Sequence, residues 1–287
     1  MKRKVAISSN PQMDLSIEEA CDLLGDLSDI IKGKHVAIKP NDTWASPSDL
    51  TPCTQADTLR GIIRYIKKFS PSKITVSGGS GAAQTEDVFR YLGLDKVIAE
   101  EKVFFFDHNK PPFVPVSLSY GPMQEVQINP QVLEYDTLIS LAQLKVHNAA
   151  LVTLSMKNIA MSFPAADYYG HPREKYDHLH SIFKNLHSFI VGMCQRFPIH
   201  LAITVAHPAM KIRGPIGGKT FEGDLTIASR DFVAADAVGA AILDRFGVSH
   251  IIEAEKIGLG TADLDLIEIA GVPLDRAIAH FSEKENS

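Results

Sequence analysis

Short apolar segments alternate with longer amphipathic segments along the first 110 residues, and this alternation limits the folds open to the chain. The segments HVAIK (35–39), KITVS (73–77) and VFFFD (103–107) have the apolar character of buried strands. Residues 54–69 and 85–100, which lie between them, carry apolar side chains at helical spacing. Strands that alternate with helices of this length form βαβ units. We therefore expect an α/β fold with a mostly parallel sheet and helices on both faces.

The middle of the chain has a different pattern. The segments VPVSLS and EVQIN alternate apolar and polar residues next to prolines, which predicts an antiparallel hairpin inserted between the βαβ units. A continuous apolar strand over 136–144 then resumes the sheet. We expect one α/β unit over residues 1–287, or two lobes, about 1–110 and 135–287, with a hairpin-rich boundary near 111–130.

The same periodicity places the other elements. Residues 16–31 are expected to form a helix that Ser16 caps, with Glu19 completing a capping box. The remaining predicted elements are strands over 5–8, 201–206 and 266–269, helices over 178–196, 232–246 and 250–257, an exposed loop over 161–177 and a glycine-rich loop over 213–223.

Composition excludes several classes of function. The formal net charge is −5, whereas proteins that coat nucleic acids or bind anionic membranes present basic faces. No uncharged apolar run approaches the roughly 20 residues of a membrane-spanning helix. Cys21, Cys53 and Cys194 are too few and too far apart for a disulfide scaffold or an iron–sulfur cluster within this chain. We expect a cytoplasmic protein without nucleic-acid or membrane partners, and a homodimer is the default assembly.

Polar residues follow two of the predicted strands directly. In open parallel sheets, ligands bind beyond the carboxyl ends of the strands. Lys39 and Asn41 follow one strand, and Gly79, Ser80 and Gly81 follow the next. A lysine and an amide can hold an anion, and glycines let backbone N–H groups approach one. We predict that these five residues bind an anionic substrate; the alternative is that both segments are only turns.

The densest group of polar residues follows the strand over 136–144. Lys145, His147, Lys157 and Asn158 lie there, and Lys157 has the apolar context LVTLSMKNIAM. A lysine in such surroundings can act as a nucleophile or a base. We predict Lys157, His147 and Lys145 as catalytic residues and Asn158 as part of the substrate site. The structural alternative is a lysine that lays its stem on apolar surface.

Four histidines and two single residues extend the candidate site. The histidines are His171, His178, His180 and His187. His180 and His187 are spaced to share a helix face, where they can bind a transition metal or move protons, and solvated histidines are the alternative. Arg213 begins a glycine-rich loop that can face an anion. Asp236 lies in an otherwise apolar helix and needs a lysine or a helix N-terminus as its partner.

The order of these motifs resembles one protein family. The motifs are IKPN, a strand with a glycine-rich turn and a helix beginning T-E, LKVH, TLSMKN, the histidine run, GP-x-GG and the helix of Asp236. Together they resemble the domain of unknown function 362 family over about residues 35–271. Some members carry an iron–sulfur module, for which this chain lacks the cysteines. Members usually have an aspartate where Val205 lies here, which implies that any metal role of that aspartate is lost or passes to His207.

A more distant resemblance links these elements to the N-terminal half of nickel-dependent lactate racemase. That enzyme carries a nickel-pincer nucleotide on a lysine ten residues after a histidine, and His147 and Lys157 have this separation. The resemblance implies a related fold and a cofactor anchor at Lys157. Trp44 stands where the enzyme has an arginine and Gly81 where it has a histidine, so lactate racemase activity itself is not expected.

Three functions remain open at this point. The first is an enzyme that acts on a small anionic substrate at a strand-end lysine and histidine site, with a metal or another cofactor as an option. The second is an accessory protein that binds a metal, a cofactor or an anion without turnover. The third is an interaction module with a vestigial site, which predicts no cleft that joins Lys39, His147 and Lys157.

Overall fold

The computed structural model describes residues 3–170 and 185–286, and a ten-stranded sheet runs through them. The strands of the chain are β1 (Arg3–Ser9), β2 (His35–Pro40), β3 (Lys73–Gly78), β4 (Phe104–Asp107), β5 (Val114–Ser117), β6 (Glu125–Ile128), β7 (Thr137–His147), β8 (Leu151–Thr153), β9 (Leu201–Met210), β10 (Thr220–Phe221), β11 (Leu225–Ser229) and β12 (Ile267–Gly271). The main order is β12-β1-β11-β9-β7-β2-β3-β4, with β10 beside β9 and β8 beside β7.

Most of the long pairings in this sheet are parallel. The strands from β9 through β7, β2 and β3 to β4 all run the same way, and β12 is parallel to β1. β11 is antiparallel to both of its neighbours, and β5 and β6 form the separate antiparallel hairpin. The predicted mostly parallel sheet with a hairpin insertion is therefore confirmed.

Helices cover both faces of the sheet. They are α1 (Met13–Leu24), α2 (Ser28–Ile31), α3 (Ala56–Lys67), α4 (Thr85–Leu92), α5 (Leu94–Glu100), α6 (Ser155–Ala160), α7 (Ala166–Tyr169), α8 (Leu186–Arg196), α9 (Phe232–Ile242), α10 (Ser249–Lys256) and α11 (Leu274–Asn286). Side chains alternate along the buried strands, so Val36 and Ile38 join the core under α1 and α3 while Ala37 joins the core under α8 and α9. None of the helices within the described ranges is long and apolar enough to cross a membrane.

Several predicted boundaries are wrong for identifiable reasons. The first helix begins at Met13, and Ser16 does not cap it, because its buried hydroxyl lies 2.9 Å from Ser8 Oγ and 2.8 Å from Thr226 Oγ1. The helix expected over 85–100 is divided at Gly93, which has a left-handed φ of 70°. Residues 162–166 are buried and lead into α7, whereas the sequence pattern predicts an exposed loop there.

The order of the strands reverses at one point in the sheet. From β2 the chain passes through α3 to β3 and through α4 and α5 to β4, so the strands spread to one side of β2. β7 lies on the opposite side of β2, and β9 lies beyond β7. The reversal between β2 and β7 opens a crevice at the carboxyl ends of these strands, which is where ligands bind in open α/β sheets.

His207 of β9 links three segments away from this crevice. Its Nε2 lies 2.8 Å from Asp57 Oδ2 in the first turn of α3, and its Nδ1 lies 2.5 Å from Glu222 Oε2, just after β10. The hydrogen bond from the ring to Asp57 has the largest effect on the pKa of His207, and the bond to Glu222 adds to it, so that the pKa rises to about 10. The charged imidazole therefore donates to both carboxylates and ties α3 to the strand pair β9–β10.

Replacement of His207 with leucine is expected to lower the free energy of unfolding near neutral pH by about 1–2 kcal/mol, because each partly exposed ion pair contributes up to about 1 kcal/mol. The folded-state pKa of about 10 lies above the ordinary 6.5, so this stabilisation is complete below about pH 6.5 and is lost as the pH rises through 10. Urea unfolding of both proteins across this pH range measures the effect. The double variant Asp57→Asn, Glu222→Gln should lose stability relative to the wild type with the same pH dependence as His207→Leu. If the stability difference between the wild type and His207→Leu stayed constant with pH, the assignment of the ion pairs would be contradicted.

Candidate functional site

A cleft with a volume of about 230 Å³ opens at the carboxyl ends of β2, β3 and β7. We call it the strand-end cleft. Its walls come from residues 41–43 after β2, 79 and 81–82 after β3, His147 and Thr153 on β7 and β8, 157–158 and 161–162 in and after α6, and 215–216. Among the predicted site residues that the structure describes, Asn41, Gly79, Gly81, His147, Lys157 and Asn158 therefore meet at one cleft.

Lys39 lies beneath this cleft and does not contribute to its wall. Its fully buried ammonium is 2.5 Å from Asp42 Oδ1 and donates a second hydrogen bond of 2.5 Å to the Pro40 carbonyl. The other oxygen of Asp42 accepts the Gly79 N–H at 2.8 Å. The charge of Lys39 thus neutralises a buried carboxylate, and the pair joins the end of β2 to the end of β3.

The glycine-rich turn after β3 is held mainly by bonds within the protein. Besides the Gly79 N–H on Asp42, the Ser80 N–H donates to Thr85 Oγ1 and the Ser80 hydroxyl donates to the Thr43 carbonyl. A Cβ at Gly79 would lie 1.8 Å from His108 Nε2, so only glycine fits there. The turn therefore shapes the cleft through its backbone, and Gly79 and Gly81 line it without side chains.

His108 is a buried residue of the site region that the sequence analysis missed. Its Nδ1 lies 2.9 Å from Ser77 Oγ, and its Nε2 lies 3.0 Å from the hydroxyl of Ser162, which lines the cleft. Ser162 in turn donates to the Gly79 carbonyl at 2.9 Å. His108 directly follows β4, so the strand-end rule that singled out the other residues also applies to it.

Lys157 and Asn158 reach the cleft because a buried carboxylate holds the start of α6. Asp236 of α9 accepts the N–H of Ser155 at 2.8 Å and of Met156 at 2.9 Å. Burial raises the pKa of Asp236 to about 7, against the opposing effect of these two N–H donors. Of the two partners expected for Asp236, the helix N-terminus is the one that the structure shows.

His147 is held by the backbone that follows β7. Its Nδ1 accepts the N–H of Ala149 at 3.1 Å and the N–H of Ala150 at 3.2 Å. A neutral imidazole has one N–H and one acceptor nitrogen, so this arrangement leaves the proton on Nε2. His147 is thus an N–H donor on its other edge, and that protonated nitrogen is unsuited to bind a metal.

Lys145 is fully buried beside the cleft and not on its wall. Its ammonium donates to the Pro52 carbonyl, and burial lowers its pKa to about 8, while Cys53 and Asp42 favour the charged form. Arg213 is exposed at the start of its loop, of which Pro215 and Ile216 line the cleft. The roles predicted for Lys145 and Arg213 stay predictions.

The predicted metal pair cannot be placed as a pair, because His180 lies outside the described residues. His187 is described, and its Nδ1 lies 2.9 Å from Nδ1 of the fully buried His250. Within the described residues, 3–170 and 185–286, no group of three His, Cys, Asp or Glu side chains is placed to hold a metal ion. Val205 is buried in the core, and both ring nitrogens of His207 are bonded to carboxylates, so neither residue reaches the cleft.

Comparison with known proteins identifies the family. The model of DUF362, described as a domain of unknown function, matches residues 36–241, which is more than half of the chain. The chain belongs to this family. The resemblance inferred from the ordered motifs is therefore confirmed, and a search of curated proteins found no match.

Solved structures show what this DUF362 chain is similar to in fold. The lactate racemase apoprotein from Thermoanaerobacterium thermosaccharolyticum matches 90% of this chain and 58% of its own, with a TM-score of 0.51 and 14% identity. A protein from Thermotoga maritima matches 87% of this chain and 60% of its own, with a TM-score of 0.47 and 11% identity. The chain thus spans less than two thirds of either protein. The first match confirms the similarity in fold expected from the sequence.

Removal of the Asp236 carboxylate is expected to weaken both the fold and the cleft. Asp236→Ala leaves two buried N–H groups without an acceptor, and each unmet buried donor costs about 1–3 kcal/mol. We expect a loss of about 2–4 kcal/mol in the free energy of unfolding, measured with urea. Asp236→Asn keeps one acceptor oxygen and should lose clearly less; equal losses in the two variants would contradict a capping role.

The neutral ring of His147 is expected to carry its proton on Nε2. Long-range ¹H–¹⁵N spectra distinguish the two ring nitrogens, and His147→Gln, which lacks the signals, gives their assignment. An unprotonated Nδ1 and a protonated Nε2 are the expected pattern. A protonated Nδ1 would show that Ala149 and Ala150 do not hold the ring as described.

Proposed function

We propose that this protein is an enzyme that binds a small anionic substrate in the strand-end cleft. In this proposal Lys157 supplies the positive charge and His147 donates a hydrogen bond from Nε2. The supporting observation is that these two side chains, from α6 and β7, converge with Asn41 and Asn158 on one cleft at the reversal of strand order.

Burial makes Lys157 effective toward an anion. The residue lines the cleft and is 8% exposed, so little water screens its charge. In such surroundings the attraction between an ammonium group and an anion is stronger than in bulk water. A cleft of about 230 Å³ is smaller than the roughly 300–1,000 Å³ of pockets for drug-sized ligands, so it suits a small molecule.

The donors are in place before a ligand binds, and this favours catalysis. Ala149 and Ala150 hold the His147 ring, and Asp236 holds the first turn of α6. Preorganised donors stabilise negative charge that develops in a transition state without having to reorient first. A small carboxylate or phosphate that gains charge near Lys157 and His147 would benefit from this arrangement.

A second candidate is a binding protein without turnover. The carboxylate of Asp42 lines the cleft, but Lys39 and the Gly79 N–H already occupy its oxygens. His147 Nδ1 is likewise occupied by two backbone donors. Neither group is then open to accept a proton as a base. Chemical change in a bound ligand, followed by NMR, separates the enzyme from the binding protein.

Anion binding is tested with Lys157→Met and the matched surface variant Lys96→Met, which removes the same charge from the exposed side of α5. Isothermal titration uses glycolate, acetate and inorganic phosphate as probes. We expect the wild type and Lys96→Met to bind at least one probe with similar affinity. Lys157→Met should bind that probe at least about tenfold more weakly, because it loses a hydrogen bond to a charged group. Unchanged affinity in Lys157→Met, or no binding by the wild type, would overturn the proposal.

A further inference from the structure

The orientation of the Asn158 amide is set by a backbone group. Its Nδ2 donates to the Lys39 carbonyl at 3.0 Å and lies 3.1 Å from Ser140 Oγ. A carbonyl oxygen can only accept, so the nitrogen of this amide must point toward Lys39. The oxygen of Asn158 therefore points away from Lys39, toward Asn41.

The orientation of Asn41 follows from that of Asn158. Because Asn158 Oδ1 can only accept, Asn41 must turn its Nδ2 toward it, and the two atoms are 3.3 Å apart. The same Nδ2 lies 3.4 Å from Thr43 Oγ1. This leaves Asn41 Oδ1 on the other side of the amide, and no described residue donates to it.

Thr153 also lines the cleft and carries a second such oxygen. Its Oγ1 is buried and has no hydrogen-bond partner among the described residues, and Thr153 and Asn41 are each 3% exposed. The two oxygens differ in one respect. A hydroxyl can either donate or accept, so Thr153 suits any polar ligand atom, whereas Asn41 Oδ1 can only accept.

We infer that the ligand of the strand-end cleft carries a hydroxyl or amine group next to its anionic group, and that this group donates a hydrogen bond to Asn41 Oδ1. The inference rests on the proposed function, because it places the anionic group at Lys157. A ligand with acceptors only would bring an oxygen against Asn41 Oδ1 and leave both buried without a donor, which is costly. Asn41 thus selects among small anions by the presence of a donor.

Pairs of anions that differ only by a hydroxyl in place of a methyl test this selection. Glycolate is compared with propionate, and hydroxymethylphosphonate with ethylphosphonate, by isothermal titration of the full chain. The two pairs distinguish a carboxylate from a phosphonate as the anionic group. We expect the wild type to bind the hydroxyl member of at least one pair about tenfold more tightly or better, since an unmet buried acceptor costs about 1–3 kcal/mol.

The variant Asn41→Leu, of similar size, should bind both members of that pair with nearly equal affinity. Asn10→Leu removes a partly exposed amide that follows β1 and does not line the cleft, so this variant should keep the hydroxyl preference of the wild type. Equal binding of the two members by the wild type would overturn this inference and leave the proposed function intact. A hydroxyl preference that persists in Asn41→Leu would also overturn it. No binding of any of the four anions by the wild type would overturn both.

Discussion

The buried ion pair between Lys39 and Asp42 is the interaction on which the site region depends. Two charges that are buried together are far less costly than either alone, and loss of one partner from such a pair costs about 3–5 kcal/mol. The pair also fixes the turn after β2, because Asp42 accepts a hydrogen bond from the Gly79 N–H and Lys39 donates one to the Pro40 carbonyl. The ends of β2 and β3 are therefore joined by charge as well as by their shared sheet.

The opposite wall of the cleft depends on a second buried carboxylate. Asp236 holds the first turn of α6, and α6 carries both Lys157 and Asn158. The amide of Asn158 donates to the Lys39 carbonyl at 3.0 Å. This hydrogen bond connects the wall that Asp236 holds to the wall that Asp42 holds. Because hydrogen bonds to a buried carboxyl group hold each wall, the shape of the cleft is set by the protein's own contacts.

The sequence predicts the frame of this fold well and its polar interior less well. Continuous apolar runs place β2, β3 and β7, because strands buried on both faces need no polar residues. β11 and the helix α11 are not predicted. The segment LTIAS of β11 is only five residues long, whereas α11 does carry apolar residues at helical spacing, namely Leu274, Ala277, Ile278 and Phe281. Ser16 matches the pattern of a helix cap, yet its hydroxyl forms a hydrogen bond with that of Thr226, about 210 positions away in the sequence. Local rules cannot anticipate a partner at that distance.

The same limit applies to the site. The strand-end rule selected Asn41, His147 and Lys157, all of which line the cleft, because the topology brings the carboxyl ends of parallel strands together. It selected Lys39 as well, but the pairing of Lys39 with Asp42 depends on which way a side chain turns after the strand. His250, a single histidine in an ordinary helix, gave no sign in the sequence of its contact with His187.

Similarity of fold does not carry a reaction with it, and the cleft shows why. This chain and the lactate racemase apoprotein share an architecture at 14% identity, while the chemistry of a cleft depends on a few side chains at the strand ends. Gly81 lines the cleft here without a side chain, so the wall at that point offers backbone only. The polar groups that the described residues bring to the cleft include the ammonium of Lys157, the imidazole N–H of His147, the hydroxyl of Thr153 and the acceptor oxygen of Asn41. Under the proposed function, this combination favours a small anion that also carries a donor, because the order of donors and acceptors around the cleft would then select the ligand.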